Sequence, residues 1–67
     1  MLVKDIDFGF YQYARICVAT PRGPANFPPD SEETVKRLYG EETLEEENGV
    51  SVENNWLILK LEHGRVY

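Results

Sequence analysis

One cysteine and one histidine are all that this chain of 67 residues offers for cross-linking itself. Cys17 has no intramolecular disulfide partner, and a zinc site built from Cys17 and His63 would lack half of its tetrahedral ligands. A domain of this size buries only about 60% of the surface that its unfolded chain exposes. Without a staple, its stability rests on one small core and on whatever it docks against. The sequence is therefore expected to form a single small acidic domain over residues 1–67, with oligomerisation or partner docking as the extra source of stability. Hydrophobic residues at 42% and charged residues at 28% lie near the globular average, which separates the chain from disordered sequences.

Over residues 6–20 the chain alternates, with Phe8, Phe10, Ala14, Ile16 and Val18 at even positions against Tyr11, Tyr13, Arg15 and Cys17 at odd ones. A period of two among aromatic and β-branched residues predicts a long strand whose even set faces the core. The odd face then presents Tyr11, Tyr13 and Arg15, residue types enriched where proteins meet partners. Gly9 is read as a bulge or bend near the start of the strand. Residues 20–30 hold all four prolines and predict a loop, because proline removes an amide donor and drives the preceding residue away from helical angles. Phe27, inside that loop, is read as an anchor onto the core.

Asp30 stands three residues before Glu33, the spacing of a reciprocal capping box, so a helix is predicted to start there. Val35, Leu38 and Tyr39 form one apolar stripe at i, i+3 and i+4, while Lys36 and Arg37 point outward. Gly40 suits the left-handed position that closes a helix. A second short helical turn is expected over residues 41–47, with Leu44 as its inward anchor and Asn48-Gly49 as either a cap or a hairpin turn. Val50 and Val52 suggest a brief strand, Asn54-Asn55 a turn, and residues 56–61 a clear strand. On that last strand Leu57, Leu59 and Leu61 share one face, and Trp56, Ile58 and Lys60 the other. His63-Gly64 reads as a turn, with residues 65–67 returning as a short final strand. Together these give an α+β fold, a small antiparallel sheet of about three strands with one principal helix packed on one face. The opposite face, with Tyr11, Tyr13, Arg15, Trp56 and Ile58, is left for a target or for a second copy in a homodimer.

The net charge of −5 is unevenly spread. Residues 1–31 are balanced, whereas residues 41–53 hold six glutamates and no lysine or arginine. Such a field repels nucleic acid, so direct DNA or RNA binding is not expected. No stretch approaches the ~20 apolar residues of a membrane span, and the N-terminus has no signal pattern, so the expected location is the cytoplasm. Neither a calcium-binding loop nor a glycine-rich phosphate loop is present, and no cofactor or metal is expected. Cys17 with His63 is the one pairing available for nucleophilic chemistry, but Cys17 sits mid-strand among apolar neighbours, where a free thiol behaves as a small hydrophobe. The chain is read as a binding protein and not as an enzyme.

Two surfaces are candidates for that binding. On a helix, Glu41 and Glu45, or Glu42 and Glu46, would be offset by about 6 Å along the axis and with Glu47 would form an anionic stripe. A basic nucleic-acid channel would meet in it charges already arranged as phosphates are. Tyr11, Tyr13 and Trp56 would add hydrophobic anchors. In size, acidity and strand–helix–strand layout the chain resembles the small phage-encoded inhibitors, such as anti-CRISPR proteins and uracil-DNA glycosylase inhibitors. That resemblance of type implies a stoichiometric inhibitor of a nucleic-acid-processing enzyme, acting in the host cytoplasm. The alternative is a non-catalytic accessory or assembly subunit that docks through its apolar sheet face.

Overall fold

In the computed structural model, which describes residues 1–64, four strands form one sheet. These are β1 (Arg15–Thr20), β2 (Gly23–Phe27), β3 (Val50–Glu53) and β4 (Trp56–Lys60), in the order β2-β1-β4-β3. The outer pairs are antiparallel and the central pair β1–β4 is parallel. The architecture is α+β as expected, but the sheet is mixed and has four strands. The expected strand over residues 65–67 lies outside the described residues.

The extra strand is β2, in the proline-rich segment read as a loop. Prolines are tolerated on a sheet edge, where one side of the backbone needs no ladder partner, and among the described residues β2 pairs only with β1. The turn into it is held by Thr20, whose hydroxyl donates to the Gly23 carbonyl at 2.8 Å and accepts the Arg22 amide at 3.1 Å. Phe27 reaches the core from this strand and meets Tyr39 edge-on, with ring centres 6.1 Å apart.

The first strand is shorter than its alternation suggests. Ahead of Arg15 the chain makes two single 3-10 turns, Val3–Asp5 and Phe8–Phe10, and lies across the core face of the sheet. Val3, Ile6 and Phe8 are buried there, whereas Phe10 is 78% exposed. A single 3-10 turn breaks the period of two, which is why Phe10 parts company with Phe8.

Ile16 and Val18 of β1 and Leu57 and Leu59 of β4 form the centre of the core with Val35 and Leu44, all fully or nearly fully buried. Residues opposed in register share a face, so the rows Phe27-Ile16-Leu57-Val52 and Ala25-Val18-Leu59-Val50 line the core side. The helix α1 (Glu32–Tyr39) enters the core through Val35. Its first residue follows Ser31, not Asp30, and no side chain caps it. Leu38 of the expected stripe faces solvent, and Gly40 stays right-handed at φ −55°.

Residues 41–47 do not form a helix. Leu44 is the buried anchor expected of it, but it belongs to an extended segment that bridges Leu61 on one side, while Thr43 bridges Leu2 on the other. Lys60 organises the next stretch of chain: its carbonyl accepts the Glu45 amide at 3.0 Å and its amide donates to the Gly49 carbonyl at 2.8 Å. Residues 46–48 are thus looped out of an otherwise continuous antiparallel partner of β4. Asn48 takes φ 58° at the end of this excursion, so Asn48-Gly49 is neither a helix cap nor a hairpin turn. The hairpin turn is Asn54-Asn55, both left-handed at φ 52° and 68°, the two-residue connection that matches strand twist.

Candidate protein-binding surface

The side chains opposite the core side form the rows Asn26-Cys17-Ile58-Ser51 and Arg15-Trp56-Glu53. The helix and the N-terminal turns lie on the other side, so among the described residues no further element covers these rows. Small side chains occupy the middle of the sheet, Cys17 and Ala19, while larger ones stand beside them. The result is an apolar notch of about 260 Å³ lined by Cys17, Pro24, Asn26, Trp56 and Ile58. Arg15 flanks it, with its guanidinium carbon 5.8 Å from the Trp56 ring centre.

Two further concavities continue from the notch. Ile58 is shared with a groove of about 350 Å³ that also meets Asn48, Ser51, Glu53 and Lys60. Asn48 and Lys60 are shared in turn with a larger groove of about 730 Å³, where Glu45, Glu46, Glu47, Glu62 and His63 converge. One track therefore runs from an apolar end at Trp56 to an acidic end at the looped-out residues.

The expected glutamate stripe is not present, because its helix is not. Glu41 pairs instead with Lys4 at 3.0 Å, and that hydrogen bond holds the Lys4 ammonium above its usual pKa. Glu42 is exposed near Arg22 and Leu38 on another groove. Glu45 turns inward, its Oε1 accepting the His63 amide at 3.0 Å. Glu46 and Glu47 are exposed at the tip of the excursion and have no ion-pair partner among the described residues.

Tyr11 and Tyr13 do not join Trp56 on the open face. Both are half-buried against the core, and burial, with the nearby Glu32, raises the Tyr13 phenol above its ordinary pKa. Cys17 and His63 line different concavities, and burial pushes the Cys17 thiol upward, away from the thiolate. Among the described residues no group of three or more Cys, His, Asp or Glu side chains is arranged to hold a metal ion, and no helix is long and apolar enough to cross a membrane. Pro24 and Asn26 belong to the notch but carry no sequence signal for it, since their place depends on β2 being a strand.

No protein-family model matches this chain, and neither does any curated protein or any solved structure. The functional reading stands on geometry alone.

Proposed function

We propose that this chain is a protein-binding module that docks through the uncovered sheet face, with the Trp56 notch as anchor, against a partner whose facing surface is basic. The notch carries the reading: an apolar hollow in a sheet face, bounded by Trp56 and Arg15, has the make-up of an interface hot spot. Its continuation into Glu46 and Glu47 supplies the charge complementarity. A nucleic-acid-mimicking inhibitor is the second reading. It is favoured by Glu46, Glu47 and Glu62 of the acidic groove, which offer carboxylates to a basic channel although they follow no helical stripe.

Affinity capture with the immobilised chain tests this at low and high salt, with Trp56→Ala and Glu46→Lys/Glu47→Lys run alongside. A basic partner that is lost with Trp56→Ala, and weakened by charge reversal or salt, is the expected result. A partner that ignores Trp56→Ala but disappears on charge reversal moves the function to the acidic groove. Turnover of a small molecule by the purified chain overturns both readings.

A further inference from the structure

β3 ends the sheet, and its outer backbone has a definite phase. The Lys60 amide donates to the Gly49 carbonyl, and antiparallel ladders alternate between bonded and non-bonded pairs. Gly49, Ser51 and Glu53 therefore turn their backbone groups toward β4, and Val50 and Val52 turn theirs outward. The two-residue turn that closes on Glu53 and Trp56 sets the same phase. Among the described residues, neither Val50 nor Val52 makes a backbone hydrogen bond beyond the β3–β4 ladder.

The rest of the sheet perimeter is less open: the outer backbone of β2 falls at Pro24 and Asn26, and Pro24 has no amide to offer. The edge next to β3 is covered where the Val3 amide donates to the Glu42 carbonyl and the Leu44 amide to the Met1 carbonyl. Among the described residues, only beside β3 do open donors and acceptors adjoin an exposed large aliphatic side chain, Val52, which is 42% accessible.

Both ends of this edge are acidic. Glu46 and Glu47 stand on the excursion before β3, and Glu53 ends the strand. Lys60 lines the same groove as Glu53 and Ser51 and offsets one of these charges, leaving the edge negative. Antiparallel pairing with a second copy would bring the Glu53 end of each β3 beside the glutamate excursion of the other. Like charges so opposed destabilise a strand pair, whereas lysine or arginine there is attracted.

We propose that the β3 edge captures an extended, basic segment of a protein partner and adds it to the sheet as a further strand. Val50 and Val52 supply the backbone bonds, and Glu46, Glu47 and Glu53 select the charge. This rests on the reading of the chain as a protein-binding module but uses an edge distinct from the Trp56 face.

The probe is a short capped peptide alternating lysine and valine, titrated into the isotope-labelled chain while amide shifts and hydrogen exchange are followed. Expected are protection at Val50 and Val52, binding that weakens as salt rises, and no response to a glutamate–valine counterpart. Val52→Pro deletes an outward amide and no β3–β4 bond, so it should keep the dispersed spectrum of a folded domain and bind roughly ten-fold more weakly. If Val52→Pro does not fold, Val52→Lys serves in its place, setting a cation against the peptide. Trp56→Ala should leave peptide binding unchanged. Equal binding of both peptides, undiminished binding by the Val52 variants, or protection at β2 overturns the proposal. Loss of binding in Trp56→Ala alone places the peptide on the sheet face, which overturns the edge proposal and leaves the docking function intact. Self-association of the free chain with protection at β3 assigns the edge to a second copy and also overturns it.

Discussion

Arg15 and Trp56 are register partners in the parallel β1–β4 ladder, and the guanidinium of one lies over the indole of the other at 5.8 Å. An exposed pair of this kind contributes about 0.5–1 kcal/mol to the fold. At a buried interface an aromatic anchor is worth about 2 kcal/mol or more. Trp56→Ala should therefore lower stability by roughly 1 kcal/mol and weaken partner association by about 2 kcal/mol or more. Thermal unfolding and titration calorimetry measure the two; a loss confined to stability would assign Trp56 to the fold alone.

Charge at the excursion should act on association and not on folding. Glu46→Lys/Glu47→Lys should slow association with a basic partner and flatten its salt dependence, while stability changes by no more than about 0.5 kcal/mol. Glu45→Ala behaves oppositely. It removes the acceptor of the His63 amide, so that amide should exchange faster and stability should fall by about 1 kcal/mol. Stopped-flow binding and amide exchange separate the two outcomes.

The core has little reserve. A chain of this length is expected to be stable by roughly 3–10 kcal/mol, and truncating a fully buried leucine costs about 2–5 kcal/mol. Leu59→Ala, at the centre of the core, should leave a substantial unfolded fraction at 25 °C in the absence of partner. Urea titration followed by Trp56 fluorescence reads this directly; a near-native midpoint would contradict the assigned core.

Alkaline pH should destabilise the chain through two groups. Burial raises the Cys17 thiol from 9.0 and, with Glu32, the Tyr13 phenol from 10.0. In both cases the folded state keeps its proton at a pH where the unfolded chain has lost it. The stability is thus fully present below about pH 9 and falls as pH rises from there through the folded-state values. Cys17→Ala should flatten the earlier part of that fall, and the thiol should resist alkylation until denaturant is added. Melting temperatures across pH 7–11 test the sign.

The hairpin turn is conformationally demanding. Asn54 and Asn55 both hold positive φ, which asparagine and glycine accept and β-branched residues do not. Asn54→Val should cost about 1–2 kcal/mol, whereas Asn55→Gly should be neutral or stabilising. Equal melting temperatures for the two variants would argue against this turn.

Where local chemistry and tertiary structure agree, the fold is legible in the sequence. Leu57, Leu59 and Leu61 alternate cleanly because β4 is buried on one side, and the Asn54-Asn55 turn follows from backbone preference. The discrepancies have physical causes. Alternation over residues 6–20 persists through the 3-10 turn Phe8–Phe10, which carries no period of its own, so it predicts a strand where Ile6 and Phe8 form part of a lid. The proline count hides β2, because proline excludes a central strand but not an edge. The glutamates favour a helix by propensity, yet Leu44 bridging Leu61 outweighs it, since one buried anchor in a ladder exceeds a few tenths of a kcal/mol per residue. Of the notch, Trp56 and Ile58 are legible as the open face of the last strand, but Cys17, Pro24 and Asn26 join them only through the β1–β2 register.

The excursion over residues 46–48 leaves Lys60 bonded on either side, to Glu45 before it and to Gly49 after it. Ladder registration is consequently independent of what lies between those two clamps. Residues could be inserted or exchanged there without moving any core side chain to the wrong face, so this is where the domain can be retuned toward new partners while its scaffold stays fixed.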